Sequence, residues 1–260
     1  MAFQEGQVET DGFRIRYMAA GDGPVLVHLH GAGGMRLNPS HDLLSQRFRV
    51  IAFEMPGFGE VENQRTQTMP ELAATMATAC RAIGIDRCSL IGTSFGGKVA
   101  LWLAAQDPKL VSTLVLEAPA AIRPDGLQPP SGTPEQIAQM VYAHPERMPP
   151  TQKRDPEQAA RIGAFVRRVR GPDRDAALES VMPGIAVPVL VVLGARDALI
   201  PSTVGRIYKD LLRDAHLVFV YDCGHAIASE RPEAFVEVVA DFLERTDAFV
   251  ISRAKTVILP

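Results

Sequence analysis

The chain has 260 residues, enough to bury one large core with room for a small inserted unit. Its hydrophobic share of 47% is that of an ordinary globular domain, and a formal charge of −3 supplies no clustered positive surface for nucleic acid. No run of about 18 apolar residues occurs, so no membrane span is expected. Cys80, Cys88 and Cys223 have neither disulfide-framework nor metal-ligand spacing and suit a reducing compartment. The first residues lack the basic-then-apolar pattern of a secretion signal. A cytoplasmic protein without nucleic-acid or membrane partners and without a metal or other cofactor is the expectation.

Two strands, Gln7–Glu9 and Phe13–Met18, flank Asp11-Gly12, a hairpin-turn pair. After Gly21-Asp22-Gly23-Pro24 comes Val25–His30, a β-branched apolar run. Further runs follow at Arg49–Phe53, Cys88–Ile91, Thr113–Leu116, Val187–Leu193 and Leu217–Val220. Unbroken apolar runs of this length suit strands buried on both faces. Helical spacing lies between them: Met69–Ile83 behind a Thr68 cap, Phe95–Gln106 closed by Asp107-Pro108, Ser202–Leu212, and Arg231–Arg245 with Pro232 in its first turn. Alternating strands and helices argue a parallel sheet covered on both sides.

The alternation stops once. From Ala121 to Gly184 no strand is evident, and helices are expected at Pro134–Tyr142, Pro156–Arg170 and Asp173–Val181. Residues 121–184 are read as a helical cap inserted into a core made of residues 1–120 and 185–260, because structureless connections of that length are rare. Arg167, Arg168 and Arg170 are read as a solvated helix face. The apolar tail, 246–260, has no place in this scheme beyond allowing a homodimer as well as a monomer.

Gly92-Thr93-Ser94-Phe95-Gly96 stands directly after a strand and directly before a helix. In that setting Gly-x-Ser-x-Gly forms a turn so tight that the serine hydroxyl is held above the sheet. Serine needs a base to act as a nucleophile. Of six histidines, His225 lies just past the Leu217–Val220 strand, at the edge of the sheet where ligands bind in open α/β folds. An acid must fix the base's tautomer. Asp197 closes the strand Val187–Leu193 and completes the order Ser, Asp, His; Glu117 and Asp222 are rival carboxylates. For the oxyanion, one donor is the Phe95 N–H, and the other is drawn from His30-Gly31-Ala32-Gly33-Gly34, with Ala32 first and Gly33 second.

These landmarks, with Met55-Pro56-Gly57-Phe58-Gly59, Cys223-Gly224-His225-Ala226 and Glu230-Arg231-Pro232-Glu233, make the chain resemble the α/β-hydrolase superfamily from about Gly6 to Arg245. The resemblance implies an eight-stranded, mostly parallel sheet with a cap before the seventh strand. Glu54 and Glu60 depart from the family's usual aspartate and serine. Hydrolysis of a small or medium carboxylic ester through an acyl-enzyme is the first expectation. Carbon–carbon bond hydrolysis of ring-cleavage dienoates is the alternative, although Ala226 and Thr93 replace that group's usual tryptophan and asparagine. There, Arg161, Arg167 or Arg168 of the cap would hold a substrate carboxylate. Phe95, Met140, Tyr142, Met148 and Phe165 are candidates for an apolar cavity. A ligand-binding receptor that keeps only the fold is the alternative of another class.

Overall fold

The fold is that of a computed structural model, described for residues 2–59, 62–124, 132–149 and 155–246. One sheet contains β1 (Gln4–Thr10), β2 (Phe13–Ala20), β3 (Val25–Leu29), β4 (Arg49–Phe53), β5 (Cys88–Thr93), β6 (Val111–Glu117), β7 (Val189–Gly194) and β8 (Ala215–Val220). Their order is β1-β2-β4-β3-β5-β6-β7-β8. β1 and β2 run antiparallel to their neighbours, and β3 to β8 are mutually parallel. This is the eight-stranded, mostly parallel α/β-hydrolase sheet that the resemblance implied.

The helices are α1 (Pro39–Leu44), α2 (Met69–Ala82), α3 (Phe95–Gln106), α4 (Pro134–Val141), α5 (Pro156–Val169), α6 (Ala176–Val181), α7 (Val204–Leu211), α8 (Ile227–Glu230) and α9 (Pro232–Arg245). Strand residues alternate between two cores. Val27, Leu90 and Val191 face α2, α3 and α7 through Leu72, Val99 and Tyr208. Leu26, Ile91 and Leu190 face α1 and α9 through Leu44, Phe235 and Phe242. Each fully buried side chain of this kind contributes about 1.5–3 kcal/mol, which explains why the strands read as continuous apolar runs. From β3 the chain first moves to β4 on one side and then to β5 on the other, so the carboxyl ends of β3 and β5 flank a topological switch point.

Two helices were not expected. α1 begins at Asn38-Pro39, where the Asn38 side chain accepts the N–H groups of Ser40 and His41, and α8 is a single turn after the His225 loop. Between β6 and β7 the expected helices appear as α4, α5 and a shorter α6 capped by Asp175. Residues 125–131 and 150–154 of that insertion, and the tail from 247, lie outside the described residues.

The arginine cluster needs a correction. Arg167 is exposed and Arg170 pairs with Asp173 at 3.2 Å, but Arg168 donates to the carbonyls of Asn63 and Thr66, so α5 is tied to the loop before α2. Lys98 of α3, 2% exposed, holds the returning chain through Asp175 (2.9 Å) and the Arg170 carbonyl (2.7 Å). Glu54, the departure from the family pattern, pairs with Arg16 of β2 at 3.0 Å. All three cysteines are buried free thiols. Among the described residues no helix is long and apolar enough to cross a membrane.

Candidate active site

Ser94 follows β5 and caps α3 with φ 51° and ψ −111°, a left-handed conformation that costs a non-glycine residue energy. The flanking glycines make the turn feasible. A Cβ on Gly92 would lie 2.6 Å from the Gly96 carbonyl oxygen, and one on Gly96 would lie 2.2 Å from the Leu29 carbonyl oxygen. The elbow is therefore wedged between α3 and the end of β3, and the Ser94 hydroxyl emerges at the switch point.

His225 comes from the loop between β8 and α8. Its Nε2 is 2.8 Å from Ser94 Oγ and its Nδ1 is 2.8 Å from Asp197 Oδ2. Asp197 Oδ1 accepts the N–H groups of Leu199 (2.8 Å) and Ile200 (2.9 Å), which fixes the carboxylate against rotation. Because Asp197 accepts at Nδ1, the imidazole carries its proton there and presents a lone pair to the serine. The three side chains come from the segments that follow β5, β7 and β8 and are joined by these two contacts.

The rival carboxylates are placed elsewhere. Asp222, itself at φ 50°, turns outward to His144 (2.8 Å) and Arg196 (2.7 Å). These bonds, the one from His144 first, hold its carboxyl below the usual range. Glu117 accepts from Thr93 Oγ1 (2.6 Å) and the Ala228 N–H (2.7 Å).

The Phe95 N–H is the first amide of α3, one of the group that a helix leaves without an internal acceptor. On the β3 side Gly31 lies against Ser94: a Cβ there would sit 3.3 Å from Ser94 Cβ. The Gly31 carbonyl accepts from His30 Nδ1 (2.7 Å) and the Gly34 N–H (3.0 Å), while His30 Nε2 accepts the Met55 N–H. A trans peptide directs its C=O and N–H to opposite sides, so the Ala32 N–H points away from His30. Ala32 is exposed, and Gly33 faces open space.

The apolar candidates divide. Phe95 and Phe165 are buried core residues, joined edge-on through Phe58, and Phe165 rests on Gly57; they brace α5 against the 55–59 loop. Met140, Tyr142 and Met148 are half-buried. Of the three arginines, Arg161 donates to the Gly59 carbonyl at 2.9 Å, Arg168 is anchored as described, and Arg167 is exposed. Two groups were missed. The Val141 carbonyl accepts the His225 N–H at 2.7 Å, and Glu230 accepts the N–H groups of Gly224 (2.7 Å), Ala143 (2.8 Å) and His144 (3.1 Å). The Glu230-Arg231-Pro232 landmark was the available signal.

Residues 24–161 match the family model described as alpha/beta hydrolase fold. The chain belongs to the α/β-hydrolase family. Residues 166–248 also match a model described as TAP-like protein. This α/β hydrolase is 31% identical over 248 residues to the pimeloyl-[acyl-carrier protein] methyl ester esterase of Nitrosomonas europaea, which covers 85% of this chain and 96% of that protein. It is 29% identical over 275 residues to a 2-hydroxymuconate semialdehyde hydrolase of a Pseudomonas species, covering 95% and 96%. In fold it is similar to the crystal structure of a bacterial membrane phospholipase A, with a TM-score of 0.78 at 24% identity, over 93% of this chain and 86% of that one.

Proposed function

We propose that this α/β hydrolase is a serine esterase that cleaves a small or medium carboxylic ester through an acyl-enzyme. The observation that carries the reading is the line Asp197–His225–Ser94, with both contacts at 2.8 Å. Ser94 Oγ attacks the ester carbonyl carbon as its proton passes to His225 Nε2, and Asp197 stabilises the imidazolium. The N–H groups of Phe95 and Ala32 receive the negative charge on the former carbonyl oxygen. Collapse breaks the ester C–O bond, and the alcohol leaves with the proton from His225. Water, deprotonated by His225, then attacks the acyl carbon and releases the acid and free Ser94. Residues 121–184 act as a cap, a reading supported by the bond from His225 N–H to Val141 and by the seat of Phe165 on Phe58.

Carbon–carbon bond hydrolysis is the second reading, favoured by the similarity to the 2-hydroxymuconate semialdehyde hydrolase. The engagement of Arg161 and Arg168 with loop carbonyls speaks against a cap arginine reserved for a substrate carboxylate. Turnover of p-nitrophenyl acetate and of a ring-cleavage dienoate separates the two. The expected result is ester turnover that Ser94→Ala abolishes; faster cleavage of the dienoate overturns the esterase reading, and turnover of neither favours a receptor.

A further inference from the structure

Behind the elbow runs a partly buried polar chain with no part in the proposed hydrolysis. Thr93 Oγ1, one residue before Ser94, is 2.6 Å from Glu117 Oε2 and 2.9 Å from His28 Nε2. His28 Nδ1 is 2.9 Å from His41 Nε2. His41 Nδ1 meets Asn38 twice, at its N–H (3.1 Å) and at its Oδ1 (2.9 Å). The other oxygen of Glu117 accepts from Ala228, three residues past His225, and its backbone carbonyl accepts the Ser94 N–H at 2.9 Å. One residue thus holds the neighbourhood of the nucleophile and that of the base. His28, His41 and Glu117 also border a cavity of about 20 Å³, with Ser40, Ala228 and Phe235.

Counting donors and acceptors gives two filled arrangements. With Glu117 a carboxylate, Thr93 donates to it, His28 donates from Nε2 to Thr93, His41 donates from Nε2 to His28, and the Asn38 N–H donates to His41 Nδ1. With Glu117 a carboxylic acid, every bond reverses: Glu117 donates to Thr93, Thr93 to His28 Nε2, His28 from Nδ1 to His41, and His41 from Nδ1 to Asn38 Oδ1. The two differ by one proton. Asn38 terminates either one, because it offers the same ring nitrogen both a donor and an acceptor.

We infer that Glu117, Thr93, His28 and His41 form a proton-coupled relay, and that the charge it leaves on Glu117 sets the pH range in which the Ser94–His225 pair works. Glu117 is then a positioning residue, and its effect on turnover rests on the esterase reading. Thr93 of β5, His28 of β3, Ser40 and His41 of α1, and Cys223 and His225 of the loop after β8 surround it. Burial raises the Glu117 pKa, opposed by the bonds from Ala228 and Thr93 and by His225. Burial lowers His28 well below the usual histidine value and His41 to about 4, so both rings are neutral and each holds one of two tautomers. Glu117 and His225 interact electrostatically, so the charge on Glu117 is felt at the base.

Glu117→Gln tests this, because the carboxamide reproduces the second arrangement without charge: its NH₂ donates to Thr93 and its oxygen accepts from Ala228. Long-range ¹H–¹⁵N spectra of histidine-labelled protein report which ring nitrogen carries the proton. At about pH 8, wild type is expected to carry it on Nε2 of His28 and His41, and Glu117→Gln on Nδ1 of both. The acid limb of kcat/KM for p-nitrophenyl acetate is expected to move down by about one pH unit in the variant. Should Glu117→Gln fail to fold, a titration of wild type from the alkaline to the acid end of the range in which it stays folded decides alone: both tautomers are expected to switch together, and Thr93→Val to uncouple them. Identical tautomers in wild type and Glu117→Gln, or one fixed set across the titration, overturn the relay. An unmoved acid limb overturns its coupling to His225. The spectra need no turnover, so switching tautomers in an inactive protein overturn the esterase reading and leave the relay standing.

Discussion

The backbone N–H of His225 donates to the Val141 carbonyl at 2.7 Å, so the loop that carries the imidazole is bonded at its main chain to the end of α4. Glu230 reinforces this junction by bridging Gly224 to Ala143 and His144. The position of the imidazole therefore depends on a segment well separated from it in sequence.

Gly224→Ala probes that junction. Its Cβ would stand 2.6 Å from the Val141 oxygen and 2.7 Å from the Ala143 nitrogen, both backbone atoms that yield only if the segment moves. A displacement of about 1 Å at a catalytic group costs up to about a hundredfold. The expected outcome is a kcat/KM lower by about tenfold to a hundredfold in a chain whose circular dichroism is unchanged, measured with p-nitrophenyl acetate.

The three carboxylates make a second test. Asp197→Asn is expected to lower kcat by about 10³–10⁴, because the amide no longer stabilises the imidazolium or fixes its tautomer. Asp222→Asn is expected to change kcat by less than about threefold, since its carboxylate faces Arg196 and His144 rather than His225. Parallel initial-rate measurements check the ranking.

What was legible in the sequence was local. β-branched runs ending at glycines located the strands, and Gly-x-Ser-x-Gly between a strand and a helix located the elbow, because both patterns act over a few residues. α1 and α8 escaped because helices of six and four residues have too few turns to show periodicity, although Asn38-Pro39 carried a capping signal for the first. The choice among Asp197, Glu117 and Asp222 rested on strand ends and needed the fold to confirm which carboxylate reaches His225. The His28 chain left no sequence trace: its partners are 13 and 65 residues away and are brought together by β3 lying between β4 and β5. Arg168 looked like a solvated residue for the same reason, its partners lying in a distant loop.

Burial of His41 has a consequence for stability. With its pKa lowered from 6.5 to about 4, the folded chain leaves the ring neutral where the unfolded chain protonates it. Its contribution is therefore present above pH 6.5 and lost as pH falls toward about 4. The depression corresponds to about 3 kcal/mol. Between neutral pH and about pH 4, His41→Gln is expected to lose about 3 kcal/mol less than wild type, as measured by urea unfolding.

Phe165 anchors α5. It is 2% exposed, and its ring meets Phe58 edge-on at 5.7 Å. Phe165→Ala is expected to cost about 3 kcal/mol in urea unfolding, the loss of a buried aromatic ring and the void it leaves.

The most direct measurement treats the protein with a fluorophosphonate, maps the modified residue by mass spectrometry and repeats the reaction with His225→Ala. A nucleophile activated by its neighbouring imidazole gives one phosphonate per chain, on Ser94, and a rate that falls by several orders of magnitude in the variant. Inert protein, modification at another residue, or equal rates with and without His225 would contradict it.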